Sequence, residues 1–335
     1  EAVREVLEQG SINLYMFHGG TNFGFMNGCS ARGTLDLPQV TSYDYDALLD
    51  EEGNPTAKYL AVKKMMATHF PEYPQLEPLY KESMKVDAIP LAEKVSLFET
   101  LDSLSSPIES LYPKAMEELG QCYGYLLYRT EASWDAEEER LRIIDGRDRA
   151  QLFVDGQRIA TQYQTEIGED IYCQGNRKGA SQLDILIENM GRVNYGHKFL
   201  ADTQRKGIRT GVCKDLHFLL NWKQYPLPLD NPEKIDFSKG WTEGQPAFYA
   251  YDFTVQEPKD TYLDLSEFGK GVAFVNGRHL GRFWNVGPTL SLYIPHCYLK
   301  EGANRIIIFE TEGQYKEEIH LTRKPTLKHI KGENL

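Results

Sequence analysis

The sequence predicts a multidomain chain that opens as an α/β unit and continues as an all-β region of two sandwich-type domains. The opening residues mix helix-period apolar spacing with one strand-like run buried on both faces. Beyond about residue 96, short apolar or alternating runs recur with turn signals between them. One strand–turn–strand pattern then occurs twice. A chain of 335 residues is also long for one ordinary domain.

In the opening, Ala2, Val3, Val6 and Leu7 have amphipathic helix spacing, and Gly10 stands where a left-handed glycine would stop the helix. Ser11 to Phe17 is a nearly unbroken apolar run, read as a strand covered on both faces as in a parallel sheet. The glycine-rich loop His18 to Gly24 follows, then irregular chain to about Asp50 and a helix from Pro55 to Met66. A lone parallel strand cannot satisfy its backbone groups, so the chain is expected to begin late inside a larger α/β domain. The expected organisation is residues 1–70 as the end of that domain, 71–95 as a proline-rich linker, 96–229 and 230–323 as the two sandwiches, and 324–335 as a tail. Strands are expected at Tyr123–Tyr128, Ala150–Val154, Leu183–Ile187, Phe248–Phe253 and Arg305–Phe309. Asp155-Gly156 and Asn276-Gly277 each sit between two strand patterns, a strong signal for a two-residue hairpin turn.

Lys and Arg number 37 against 49 Asp and Glu, a net charge of −12 that would repel a phosphate backbone or an anionic membrane surface. No apolar run approaches the roughly 20 residues of a membrane span, so no membrane insertion is expected. The five cysteines are far apart and odd in number, which points to free thiols in a reducing compartment. There is no G-x-S-x-G elbow, H-E-x-x-H, P-loop or G-x-G-x-x-G, and no histidine or cysteine pair at ligand spacing. Neither a metal nor a cofactor is therefore expected. The chemistry-bearing stretch is Tyr15 to Asp46: adjacent glycines that let backbone approach a ligand, Asn22 with both donor and acceptor, and the polar run Thr41 to Asp46.

Tyr15-Met16-Phe17-His18-Gly19-Gly20-Thr21-Asn22-Phe23-Gly24-Phe25-Met26-Asn27-Gly28, followed by Thr41-Ser42-Tyr43-Asp44-Tyr45-Asp46-Ala47, resembles the last barrel strand and following loop of glycoside hydrolase family 35 β-galactosidases. Tyr123 to Thr130, Glu188 to Gly196 and Gly281 to Pro288 resemble the same family's two β-domains, so the similarity spans nearly the whole chain in the family's order. The resemblance implies the end of a (β/α)8 TIM barrel followed by two β-sandwich domains of jelly-roll, galactose-binding-like type. It implies a retaining exo-β-galactosidase acting on terminal β-linked galactose, with β-1,3 linkage suggested by similarity to short bacterial members. Such an enzyme needs two carboxyl groups about 5–5.5 Å apart. In the family these are glutamates on earlier barrel strands, so no catalytic residue is expected in this chain; Glu1, Glu5 and Glu8 are not candidates. By the same resemblance, Tyr45 would bind galactose, Tyr195 the leaving-group sugar, and Asp44 would hold the loop in place; Tyr43 and Asn22, read from the residues themselves, are expected to support that loop.

Trp284 is read as core or interdomain packing, and Arg192 and Arg282 as interdomain ion-pair or backbone-capping groups. The partner expected is a β-galactoside oligosaccharide, not nucleic acid; a homodimer is compatible. The absence of an N-x-S/T acceptor fits a bacterial protein, and the cysteine usage fits the cytoplasm, with display at the cell surface the other expectation. The alternative is a carbohydrate-binding module of two sandwiches without catalysis, a reading that leaves the Ile12–Gly24 stretch without a purpose.

Overall fold

The computed structural model describes residues 1–44, 46–174, 179–199 and 201–328. Helices α1 (Ala2–Gln9) and α2 (Ala57–His69) form in the opening segment. Helix α2 begins at Thr56, whose hydroxyl accepts the Tyr59 N–H and so satisfies a donor left open at a helix start. Helix α1 stops at Gly10, whose N–H meets the Val6 carbonyl at 2.9 Å. Gly10 is extended at φ 173, so the left-handed stop is not used. The larger departure is the expected strand at Ser11–Phe17, which does not form. Its residues alternate between exposed and half-buried, with Tyr15 and Phe17 exposed. A strand exists through ladder bonds to neighbours, and among the described residues no strand runs beside this stretch.

In the middle of the chain, a six-stranded sheet runs in the order Ile108–Ser110, Trp222–Leu227, Tyr125–Ser133, Ala180–Glu188, Arg149–Val154, Gln157–Tyr163. A four-stranded sheet, in the order His217–Phe218, Gly207–Lys214, Glu138–Arg147, Ile171–Gln174, shares a core with it. Leu126, Tyr128, Leu152 and Ile185 from the first meet Leu141, Ile143, Ile208 and Val212 from the second.

The last sheet has eight strands: Arg278–Trp284, Lys270–Val275, Gly302–Glu310, Ala247–Val255, Val86–Ser96, Glu318–Thr322, Thr261–Asp264 and Ser291–Ile294. It curls on itself, since Leu280 and Phe283 of one edge join Leu292 and Ile294 of the other in one cluster. Val86–Ser96 lies almost entirely in residues 71–95, expected to be linker. Pro90 and the prolines before it disguise the strand. The sheet accommodates the proline with register shifts in both flanking ladders, at Ile319/Leu321 and Ala250/Tyr251. The chain thus contributes a strand to the last sheet, turns through helix α3 (Leu97–Leu104), builds the middle sheets and returns.

Both anticipated hairpins are present. Asp155 and Gly156 have φ 48 and 78, and Asn276 and Gly277 have φ 49 and 79, so both central residues of each turn are left-handed. Each hairpin also carries a register shift near its tip, at Leu152/Phe153 and at Ala273/Phe274.

A third core joins the six- and eight-stranded sheets. Tyr125, Leu127, Phe153 and Leu186 point opposite to their neighbours Leu126, Tyr128, Leu152 and Ile185, and they meet Phe248, Val272, Phe274 and Phe309 of the other sheet. Sheets covered on both faces explain why these strands read as unbroken apolar runs. The opening segment docks at one end of this junction. Its strand Gly28–Arg32 pairs in parallel with Arg192–Tyr195 and antiparallel with Leu35–Pro38. Residues Thr326–Lys328 of the expected tail pack on the loop after Trp284, Thr326 N–H reaching Ser291 Oγ at 2.9 Å; residues 329–335 lie outside the described residues.

Candidate functional site

Two loops of the opening segment are zipped together. Asn22 N–H bonds to the Thr41 carbonyl at 2.7 Å and Tyr43 N–H to the Gly20 carbonyl at 2.9 Å, around a bridge between Thr21 and Ser42. The fit demands glycine: a Cβ on Gly19 would stand 1.6 Å from the Tyr43 carbonyl oxygen. Asn22, Tyr43 and Asp44 are therefore brought together. The Asn22 amide is spent on the loop itself, its Nδ2 donating to the Val40 carbonyl at 3.0 Å. Partial burial, then the negative charges of Asp50 and Asp46, push the Asp44 carboxyl above the usual aspartate range. Asp46 is held by Lys58 of α2, whose ammonium lies 2.5 Å from the carboxylate and 2.6 Å from the carbonyl. Tyr45, between them, lies outside the described residues.

Beneath the zipped loops sits Glu51, which sequence reasoning missed. It is 7% exposed. Thr21 Oγ1 donates to its Oε1 at 2.6 Å and Ser42 Oγ to its Oε2 at 2.9 Å. Burial pushes the carboxyl up to about 7; the two hydroxyls oppose that shift, and the nearby charges of Asp44 and Glu52 add to it. Glu52 faces elsewhere, accepting Ser83 Oγ at 2.8 Å and Asn54 Nδ2 at 2.9 Å.

Arg282 joins the loops to the β-domains. Its backbone N–H donates to Thr41 Oγ1 at 2.9 Å, and that hydroxyl donates to the Arg282 carbonyl at 2.6 Å. The guanidinium donates to Asn27 Oδ1 at 2.7 Å, Asn189 O at 2.5 Å and Glu188 Oε1 at 3.0 Å, and it covers the Phe25 ring at 4.6 Å. Phe25 also meets His279 edge-on at 4.5 Å and stacks on Tyr123 at 5.7 Å. Glu188 is fully buried and receives three cations: Lys270 at 2.6 Å, Arg282 at 3.0 Å and Arg149 at 3.4 Å. Burial alone would raise its carboxyl, but Lys270, Arg149 and Arg282 together hold it below the usual glutamate range. The reading of Arg282 as an interdomain ion-pair group therefore holds. Arg192 does not cross between domains: within residues 96–229 it pairs with Glu117 at 2.5 Å and caps the Cys122 carbonyl at 2.8 Å, the backbone-capping role of the expectation. Trp284 stacks on Tyr163 of the six-stranded sheet at 5.6 Å, the interdomain packing expected of it.

Tyr195 stands apart from the zipped loops, on the three-stranded sheet opposite Ser30, with 73% of its surface exposed. Among the described residues, no cluster of three His, Cys, Asp or Glu is arranged to hold a metal ion. The five cysteines, all described, form no disulfide. The arrangement of Glu51, Thr21 and Ser42 holds two loops in register rather than presenting a free carboxylate: each Glu51 oxygen already receives a hydroxyl.

The glycosyl hydrolases family 35 model matches residues 1–69, the β-galactosidase first all-beta domain residues 113–228, and the β-galactosidase galactose-binding domain residues 246–304. A beta-galactosidase of Xanthomonas manihotis is 41% identical over 297 residues, covering 86% of this chain and 48% of its own length. Beta-galactosidase-1-like protein 2 of Homo sapiens is 37% identical over 98% of this chain and 53% of its own length. Beta-galactosidase 17 of Arabidopsis thaliana is 35% identical over 92% of this chain and 49% of its own length. The chain spans about half the length of the curated relatives it matches.

Proposed function

From the chain's kinship with the glycoside hydrolase family 35 β-galactosidases, shown by its family 35 segment and both β-galactosidase domains, we propose that the protein containing it is a retaining exo-β-galactosidase. The observation that carries the proposal is the collinear run of those matches together with 35–41% identity to relatives named β-galactosidase over most of this chain. Residues 1–70 form the closing part of a (β/α)8 barrel. An open apolar groove lined by Val3, Ile12, Leu14, Phe17, Tyr59 and Met66 supports this, because a water-facing groove of this kind suits covering by further barrel elements.

The nucleophile and the acid/base are glutamates in a preceding part of the protein, and this chain supplies wall and positioning. Tyr45 hydrogen-bonds the galactose. Asp44, Tyr43 and Asn22 keep its loop in place, which the Asn22–Thr41 and Tyr43–Gly20 bonds support. Tyr195 reaches the leaving-group sugar, a role its exposed ring on the strand beside Gly28–Arg32 favours. The substrate is a terminal β-galactoside, with the β-1,3 linkage preferred. Incubating the intact protein with an aryl β-galactoside and with β-1,3- and β-1,4-linked disaccharides should release galactose, fastest from the β-1,3 linkage. Release from none of them refutes the activity, and galactose binding by this chain without turnover by the intact protein would favour a binding module instead.

A further inference from the structure

We propose that Glu51 is a positioning residue: its carboxyl group, receiving the Thr21 hydroxyl on one oxygen and the Ser42 hydroxyl on the other, sets the spacing of the 18–24 and 41–44 loops, the pair that leads into the proposed sugar-binding Tyr45. The inference rests on the functional reading above and extends it to a residue with no assigned part in it.

Three features of the geometry lead there. The two hydroxyls come from opposite strands of the zip, residues Thr21 and Ser42 being the bridged pair itself, so one side chain clasps both loops at their closest point. Glu51 also holds the loops through its backbone, with His18 Nε2 lying 3.4 Å from its carbonyl oxygen. And among the described residues no cation pairs with the carboxylate, although it is buried. The groups facing it are Asp44 and Glu52 on its own segment, His18 on the first loop, and the phenols of Tyr262 and Tyr293 on the eight-stranded sheet. A buried acid with no cation partner is a costly way to make two ordinary hydrogen bonds. It makes sense where two short hydroxyl contacts must be held at one fixed separation.

The test has two arms. In this chain, amide hydrogen exchange is followed at Asn22 and Tyr43, whose N–H groups close the zip, with Ile185 of the middle core as reference. Glu51→Ala should speed exchange at Asn22 and Tyr43 at least tenfold and leave Ile185 unchanged, while Glu51→Gln, which keeps a planar two-armed side chain, should restore most of the protection. Ser42→Ala, which removes one arm without a buried void, should give a smaller increase at the same two amides. Unchanged exchange in both Glu51→Ala and Ser42→Ala overturns the bridge. In the intact protein, Glu51→Ala should raise KM for an aryl β-galactoside about tenfold with kcat falling less than threefold, and Glu51→Gln should recover KM. Loosened loops with unaltered kinetic constants overturn the positioning role. An unsubstituted intact protein that turns over no β-galactoside refutes the functional reading instead, and the exchange arm still reports on the bridge by itself.

Discussion

Replacing Glu188 with alanine tests whether the domain junction is held by charge. The side chains of Glu188, Lys270 and Arg149 are no more than 3% exposed and that of Arg282 is 9% exposed, so none can turn to water. Removing this anion leaves three buried cations with much weaker compensation; among the described residues, Arg149 alone retains another carboxylate, that of Glu312. Breaking a buried pair in this way costs about 3–5 kcal/mol. Burial already presses the Lys270 ammonium down to about 8, against the pull of Glu188. The substituted protein therefore limits the damage by releasing the Lys270 proton. Denaturant unfolding followed by circular dichroism should show the loss. Adding Lys270→Met to Glu188→Ala should recover a third or more of it, because one uncompensated charge goes with its partner. A loss below 1 kcal/mol, or a double substitution whose costs simply add, would refute the claim that this network holds the junction.

Other predictions concern the docking of the opening segment and the pH response. Phe25→Ala removes the ring packed between the Arg282 guanidinium, His279 and Tyr123, and should cost about 3–4 kcal/mol. Limited proteolysis should then cut the first 70 residues well before the sheets; an unchanged cleavage order contradicts it. The Glu51 carboxyl is raised on folding from 4.5 to about 7, so folding favours its protonated form. Its stabilising contribution is whole below pH 4.5, declines as pH climbs from 4.5 to about 7, and amounts to about 3 kcal/mol lost above that. Between pH 5 and pH 8 the unsubstituted chain should therefore lose more stability than Glu51→Gln, as read by denaturant midpoints; parallel losses would show that Glu51 does not titrate there. Tyr195→Ala in the intact protein should raise KM for a galactosyl disaccharide several-fold and leave an aryl β-galactoside nearly unaffected. Equal effects on both substrates would remove Tyr195 from the leaving-group side.

The features legible in the sequence were those set by local chemistry. Asp155-Gly156 and Asn276-Gly277 announce their turns because few other residue pairs accept two left-handed positions in a row. The runs Leu183–Ile187 and Arg305–Phe309 announce buried strands, since both faces of their sheets are covered. What stayed hidden depends on distant partners. Ser11–Phe17 has a strand's composition but, among the described residues, no ladder to join. Val86–Ser96 hides behind Pro90, because the accommodating register shifts belong to strands more than 150 residues away. Glu51 sits in Asp50-Glu51-Glu52, a run that reads as solvated charge until Thr21 and Ser42 close over it. Glu188 left a better trace: a glutamate ending an otherwise apolar strand invites a search for buried cations. Tyr43, Asp44 and Asn22 were legible as loop residues, and the zip between residues 20–22 and 41–43 is what brings them side by side.

Where the reacting carboxylates lie can be read directly by trapping. A 2-deoxy-2-fluoro galactoside with a good leaving group stalls a retaining glycosidase at its covalent glycosyl–enzyme stage. Treating the intact protein with this reagent and mapping the modified peptide by mass spectrometry should find one fluorogalactosyl ester, on a glutamate outside these 335 residues. An ester on any carboxylate within them, Glu51 included, or no labelling at all, would contradict the assignment of this chain as the wall of a retaining galactosidase whose chemistry lies elsewhere.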